Sequence, residues 1–125
     1  MESVYELYNA GMALMEAGDH HAATVPLLRA RDLSPEHTSI REALGRALFH
    51  SQRFSEAAAE FEAVVDAAPT NDFALFCLGR SLQMLGRHRE ACRPLALASC
   101  MAPRRGDYRL YRDRARAAAS ARAAA

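Results

Sequence analysis

The sequence has no lysine. All 16 of its cations are arginine, a bias that codon usage produces as readily as selection, so the choice of cation carries no argument. Long apolar runs are also missing. The longest are a handful of residues, short of the roughly 18 to 20 needed to cross a bilayer. The start, Met1-Glu2-Ser3-Val4-Tyr5-Glu6, is acidic where a secretory leader would be basic and then apolar. A cytoplasmic location without membrane contact is the expectation. Cysteine is scarce and odd in number: Cys77, Cys92 and Cys100 form no C-x-x-C pair, which argues against a disulfide framework or zinc site and for reduced, semi-buried thiols. Net charge is nearly absent at +1, half the residues are apolar and a quarter are charged, so a packed core is expected and disorder is not. At 125 residues the chain has room for one compact domain or one short repeat array.

Catalytic patterns are absent as well. The histidines His20, His21, His37, His50 and His88 form no H-E-x-x-H and have no Cys or carboxylate at metal-ligand spacing, so they read as solvated side chains. There is no G-x-S-x-G and no phosphate-cradling glycine loop. The carboxylates Glu56, Glu60 and Glu62 read as one wet helix face. The expectation is a protein that is not an enzyme, with no cofactor, no metal and no small-molecule substrate.

A period of 34 residues is present instead. Gly11, Gly45 and Gly79 keep it, as do Pro35, Pro69 and Pro103. So do Ala23, Ala57 and Ala91; Leu14, Leu48 and Leu82; and Leu27, Phe61 and Leu95. These columns divide the chain into units 4–37, 38–71 and 72–105, followed by 106–122 and a fraying tail 123–125, all within a single domain 1–122.

Each unit reads as two helices. Leu7, Ala10, Gly11 and Leu14 fall at the spacing of one helical face. In Glu16-Ala17-Gly18-Asp19, glycine supplies a positive-φ turn and Asp19 caps the next helix. That helix carries Ala23, Leu27 and Ala30 and stops at Ser34-Pro35, since proline cannot continue it. Glycine inside a helix costs on the order of 1 kcal/mol relative to alanine, so Gly11, Gly45 and Gly79 imply close approach of the paired helices. Pro26 and Pro94, at the same place in their units, imply tolerated kinks. Segment 106–122 reads as a solvating cap with Tyr108, Tyr111, Ala115 and Ala118 on its apolar stripe, one residue out of register with the repeat, and Arg109, Arg112, Asp113 and Arg116 on its wet side.

The pattern W-x-x-L-G-x-x-Y, then A-x-x-x-F, then P is that of the tetratricopeptide repeat, which residues 4–105 resemble. Leu44-Gly45 and Leu78-Gly79 match its Leu-Gly pair. Leu7, Arg41 and Leu75 stand where Trp is typical, and Arg41 implies a thinner contact between the first two units. The resemblance implies an all-α fold of seven helices in a right-handed superhelix, with its concave face lined by the first helix of each unit.

By that register the groove receives Tyr5, Tyr8, Asn9, Met12 and Met15 from unit one. Unit two contributes Ser39, Glu42, Ala43, Arg46, Phe49 and His50, and unit three Phe73, Phe76, Cys77, Arg80, Gln83 and Met84. Aromatics and methionines supply contact area at low entropy cost, which suits a peptide site; the alternative, that Phe73 and Phe76 merely pack between units, is disfavoured because Leu75, Leu78 and Leu82 already fill the stacking columns. Arg46 and Arg80, 34 apart, would sit one above the other and hold carbonyls or a carboxylate unless glutamates such as Glu42 engage them; Arg114 continues their spacing in strict register, or Arg109 if the cap is shifted. Family members that grip the acidic C-termini of heat-shock chaperones use Lys, Asn, Asn, Lys and Arg at positions held here by Tyr8, Met12, Ala43, Phe73 and Cys77, so that clamp is absent. The apolar groove looks more like that of small bacterial chaperones for secreted hydrophobic segments, though this chain starts directly at its first unit.

The expected function is a protein-interaction module, adaptor or chaperone-like. It would bind an extended or helical apolar segment of a protein or peptide ligand through Tyr5, Tyr8, Met12, Arg46, Phe49, Phe73, Phe76, Arg80 and Met84. The competing reading is self-association into a homo-oligomer through the convex face or the cap. Nucleic acid is not an expected partner. Residues 1–103 carry 9 Arg against 13 acids, and the 7 Arg against 2 acids of 104–125 read as a solvated helix face.

Overall fold

The 34-residue grammar becomes seven helices in a computed structural model, which describes residues 2–124. They are α1 (Val4–Glu16), α2 (His20–Leu33), α3 (Thr38–His50), α4 (Phe54–Ala67), α5 (Asp72–Met84), α6 (His88–Met101) and α7 (Gly106–Ala124). Side-chain caps start two of them: Ser3 accepts from the Glu6 amide at 3.1 Å, and Asn71 from the Ala74 amide at 3.0 Å. Asp19 departs from its expected role, since its side chain makes no capping bond. The turns between paired helices reverse through the left-handed region at Gly18 (φ +83°), Gln52 (φ 63°) and Gly86 (φ +76°), three positions 34 apart. Helices α2 and α6 run through Pro26 and Pro94 without ending.

Within each unit the two helices meet at a glycine. A Cβ on Gly11 would stand 2.5 Å from Leu27 Cγ, and one on Gly45 would stand 2.8 Å from Phe61 Cζ; Gly79 lies equally hard against Leu95. This close approach offsets the helix cost of glycine by burying Leu27, Phe61 and Leu95 almost completely, each contributing about 2 kcal/mol. On α1 the buried set is Leu7, Gly11 and Met15, with Leu14 half-buried; Ala10, expected on that stripe, is exposed.

Between units a second set of columns does the packing. Ile40, Ala74 and Tyr108 are buried, as are Ala47, Ser81 and Ala115, each triplet keeping the 34-residue spacing. The apolar stripe of α7 is therefore in strict register, correcting the one-residue offset expected from its sequence. On α1 the same columns hold Glu6 and Ala13, exposed because no unit precedes them in the array. On α7, the positions equivalent to Leu75, Gly79 and Leu82 hold Arg109, Asp113 and Arg116, all exposed, as a solvating end requires. The fourth wet residue, Arg112, instead bends back onto Ser99 Oγ at 3.2 Å. Helix α7 extends to Ala124, beyond the end expected at Arg122, so 123–124 are helical; Ala125 lies outside the described residues.

Arg41, which stands where Trp is typical, makes a polar contact in place of an aromatic one. Its Nη1 donates to Glu60 Oε1 at 3.0 Å, and Arg31 Nη1 donates to Glu60 Oε2 at 2.7 Å, so one carboxylate on α4 ties α2 to α3. Glu60 is 5% exposed, which removes it from the wet face shared by Glu56 and Glu62. Each helix packs on the next in sequence, and the backbones of α1, α3, α5 and α7 also approach one another along their own row, whereas those of α2, α4 and α6 stay apart, with the long Arg31 side chain spanning from α2 to Glu60 on α4. First helices side by side and second helices splayed apart give the array its curvature and make the α1–α3–α5–α7 row concave. No helix among the described residues is long and apolar enough to cross a membrane.

Candidate functional site

On the concave row, between α3 and α5, lies an apolar cavity of about 200 Å³. Four aromatic side chains line it: Phe49 from α3, Phe61 from α4, and Phe73 and Phe76 from α5. Cys77 completes the floor, and Arg46, His50 and Arg80 supply its polar part. Helical geometry explains the set. Arg46, Phe49 and His50 fall at i, i+3 and i+4 on α3, while Phe73, Phe76, Cys77 and Arg80 fall at i, i+3, i+4 and i+7 on α5.

Half-burial sets the two arginines here apart. Elsewhere seven arginines pair with a carboxylate among the described residues, as Arg53 does with Glu56 and Arg87 with Glu90, and most of the unpaired ones, such as Arg104 and Arg116, are exposed. Arg46 and Arg80 have no ion-pair partner among the described residues. Glu42, the acid expected to compete for them, accepts instead from Asn71 Nδ2 at 3.1 Å. Arg80 is nonetheless held in place: its guanidinium carbon lies 3.8 Å from the Tyr111 ring centroid and 6.0 Å from that of Phe49. Its Nη1 donates to Gln83 Oε1 at 2.9 Å, and Gln83 Nε2 donates to the Tyr111 carbonyl at 2.9 Å. Burial lowers the Arg80 pKa from its ordinary value; Tyr111 opposes that shift and the neighbouring Arg114 adds to it. Burial also pushes the Cys77 thiol up to about 12, with the Glu42 charge adding to the effect, so this sulfur is a neutral part of the floor.

At the rim, His50 stacks on His20 with ring centroids 4.4 Å apart, and His20 Nδ1 lies 3.4 Å from Met15 Sδ. Burial, then the charges of His20 and Arg46, hold the His50 pKa below its ordinary value. These two histidines are therefore a stacked pair and not independent side chains, although His50 stays exposed to solvent as the sequence suggests.

Of the nine groove residues read from sequence, Arg46, Phe49, Phe73, Phe76 and Arg80 meet at this cavity, and Tyr5, Tyr8, Met12 and Met84 do not. Tyr5 is 74% exposed at the open end of α1, and Met84 is 49% exposed beyond the cavity. Tyr8 and Met12 pack against the cores of the first two units. Met15 and Ala43 are core residues. Phe76 has a double role, because it lines the cavity and also stacks on Tyr108 at 4.5 Å and meets Tyr111 at 5.8 Å. Tyr111 was missed as a groove residue, yet it continues the column of Ala43 and Cys77 at the same 34-residue spacing. Phe61 was missed for a different reason: it belongs to a second helix and reaches the cavity only through the space left by Gly45.

The cap's tyrosines are engaged inward. Tyr108 is fully buried and donates to Asp72 Oδ2 at 3.0 Å; burial and that bond push its pKa up to about 12. The arginines around it are occupied too: Arg105 pairs with Asp107 at 2.8 Å, Arg109 donates to the Pro103 carbonyl, and Arg122 donates to the Gly86 carbonyl at 2.8 Å. Cys77 and Cys92 are half-buried, as expected of all three thiols, whereas Cys100 is exposed.

A family model described as tetratricopeptide repeat matches residues 8–72. No curated protein matches the sequence significantly. Among solved structures, MamA of AMB-1 superposes with a TM-score of 0.83 at 25% identity, covering 90% of this chain and 62% of that one. MamA from Desulfovibrio magneticus RS-1, beginning at its residue 41, gives 0.82 at 24% identity, covering 94% and 71%. The first tetratricopeptide domain of Spaghetti (RPAP3), bound to the HSP90 peptide SRMEEVD, gives 0.86 at 15% identity, covering 94% and 93%. This chain thus spans less than two thirds of the first MamA structure. The superpositions place its seven helices in the right-handed superhelix anticipated from the repeat.

Proposed function

The chain belongs to the tetratricopeptide repeat family, and from that premise we propose that it is a non-catalytic interaction module holding an apolar segment of a protein partner along its concave face. The observation that carries this reading is the cavity between α3 and α5, floored by aromatic rings and edged by two arginines without carboxylate partners. An apolar cavity of roughly 150 Å³ is known to hold a benzene, so about 200 Å³ has room for one large side chain. It is smaller than the 300 to 1,000 Å³ or so of a typical drug-sized ligand site. An adaptor or chaperone-like role is consistent with this, since a single anchoring pocket on an open groove grips a chain by one side chain and leaves its sequence free elsewhere.

Likeness to a domain bound to an HSP90 peptide is a likeness of fold. The positions that would form the carboxylate clamp hold Tyr8, Met12, Ala43, Phe73 and Cys77, and Ala43 is buried while the Cys77 thiol is neutral. That peptide is therefore not the ligand we propose. A second reading, self-association through the convex face, is favoured by Val25 and Leu33 on α2, which are 61% and 60% exposed. It does not extend to Tyr108, whose burial removes it from any surface.

Capture from native extract separates the readings. The unaltered chain is compared with a Phe73→Ala, Arg80→Ala variant shown by circular dichroism to remain helical. A partner lost only with the variant supports the groove. Partners retained equally, or sedimentation showing oligomers that Val25→Ser and Leu33→Ser abolish, would overturn it in favour of the convex face.

A further inference from the structure

Resting on the peptide-binding reading above, we propose that the cavity recognises an internal acidic–apolar motif: one large apolar side chain, best aromatic, with an Asp or Glu beside it in the same chain. The apolar side chain enters between Phe49 and Phe73, and the carboxylate meets Arg80, with Arg46 on the other side of the opening.

Charge complementarity selects this occupant. A half-buried cation with no anionic partner is costly, because the solvation it loses is not returned by an ion pair. Arg80 is in that position: burial is the first cause of its lowered pKa, no carboxylate reaches it, and its hydrogen-bond acceptor, Gln83, is neutral. It is also preorganised. Tyr111 lies under its guanidinium, and Gln83 ties it to the α7 main chain, so little side-chain entropy remains to be lost on binding. The other charges near the floor are Arg46, Arg114 and Glu42, and Glu42 is occupied by Asn71 Nδ2. With His50 held toward its neutral form and Cys77 neutral, the opening presents net positive charge over an aromatic floor. A purely apolar ligand would fill the floor and leave Arg80 further desolvated and still unpaired. A basic ligand would be repelled. A ligand carrying a carboxylate next to its apolar anchor satisfies both parts, through a charge-assisted bond of the bidentate kind that guanidinium favours.

An internal carboxylate is chosen over a chain terminus because the groove continues past the cavity on both sides. Unit one's α1 lies before it and α7 after it, leaving path for chain in either direction.

Selection from displayed peptide libraries tests the proposal on the whole protein. One library places nine random residues between fixed flanking sequences; the other places them at a free C-terminus. Enrichment of the internal library in Phe, Trp, Tyr or Leu with Asp or Glu within a few positions is the expected result. Amidated, acetylated synthetic copies of the selected sequences should lose about tenfold in affinity when their acid becomes the amide, and by a similar factor on Arg80→Gln. Affinity should also fall as salt is raised. Arg80→Lys, which keeps the charge on a shorter reach, and Arg46→Gln, on the other side, guard against an Arg80→Gln effect that is only structural: an acid preference retained in Arg80→Lys and weakened in Arg46→Gln supports the motif. Enrichment of apolar sequences without acids, still lost in Phe73→Ala, would overturn the motif and leave the groove reading standing. Enrichment only at free C-termini would overturn the internal source. Sequences whose binding ignores Phe73, Arg46 and Arg80 altogether would overturn the groove reading itself.

Discussion

Gln52 occupies a left-handed backbone position (φ 63°) where the equivalent residues of the other two units are Gly18 and Gly86. A side chain there costs roughly 1 to 2 kcal/mol, so Gln52→Gly should raise stability by about 0.5 to 1 kcal/mol in urea unfolding after glycine's larger chain entropy is subtracted. Glu60 makes the opposite case. Its carboxylate is 7% exposed and takes both Arg31 and Arg41, so Glu60→Gln should cost about 1 to 3 kcal/mol while Glu62→Gln, on the exposed side of the same helix, stays within about 0.5 kcal/mol by the same measurement. His50 adds a pH dependence. Its folded pKa lies below the ordinary 6.5, so the folded state binds its proton less well than the unfolded chain does. The stability it contributes is complete above that value and is lost as pH falls through it toward the folded pKa. Thermal midpoints should therefore drop more between about pH 7.5 and about pH 5.5 for the unaltered chain than for His50→Gln. None of these three roles was legible in the sequence: a glutamine interrupts a glycine column, a buried glutamate looks like its exposed neighbours, and two histidines 30 residues apart give no sign that they stack.

Among the elements, α7 is the one whose sequence misled most and whose placement matters most to the groove. Its stripe reads as shifted when compared with Leu75 and Leu82, the columns that face the partner helix within a unit. It is in register when compared with Ile40 and Ala74, the columns that face the preceding unit, and a helix with no partner of its own has only the second contact to make. Docking then brings Tyr111 under Arg80 and Tyr108 onto Phe76 and Asp72. Tyr108→Phe keeps the ring and removes the hydroxyl that serves Asp72, so it should cost about 1 kcal/mol by thermal or urea unfolding, with helicity by circular dichroism unchanged. The paired helices of the repeats were legible for the reason α7 was not: Gly11, Gly45 and Gly79 admit Leu27, Phe61 and Leu95, and that contact lies wholly inside the period.

For the whole molecule, each helix rests on its sequence neighbours, so stability is close to a sum of unit and nearest-neighbour terms. The outer elements have fewer neighbours, and α1 presents Glu6, Asn9, Ala10 and Ala13 to solvent. Native-state hydrogen exchange should accordingly find amides of α1 and of the outer half of α7 opening at lower free energy than those of α3 to α6; uniform protection across all seven helices would contradict a neighbour-coupled array. The sequence by itself determined the number of helices and their pairing, because those follow from local periodicity repeated three times and from the small residues that set helix spacing; the direction of curvature came through the resemblance to the tetratricopeptide repeat. It also placed Arg46, Phe49, Phe73, Phe76 and Arg80 on the inner row, since helical register alone carries a residue to a face. What only the tertiary structure decided is how far each of them is from a neighbour. Phe61 reaches the cavity from α4 through the space left by Gly45, Tyr111 of α7 lies under Arg80, and Glu42 accepts from Asn71 while no carboxylate pairs with Arg80 among the described residues. Those contacts join residues 16 to 31 apart, and a periodic pattern fixes which face a side chain is on without fixing what it meets there.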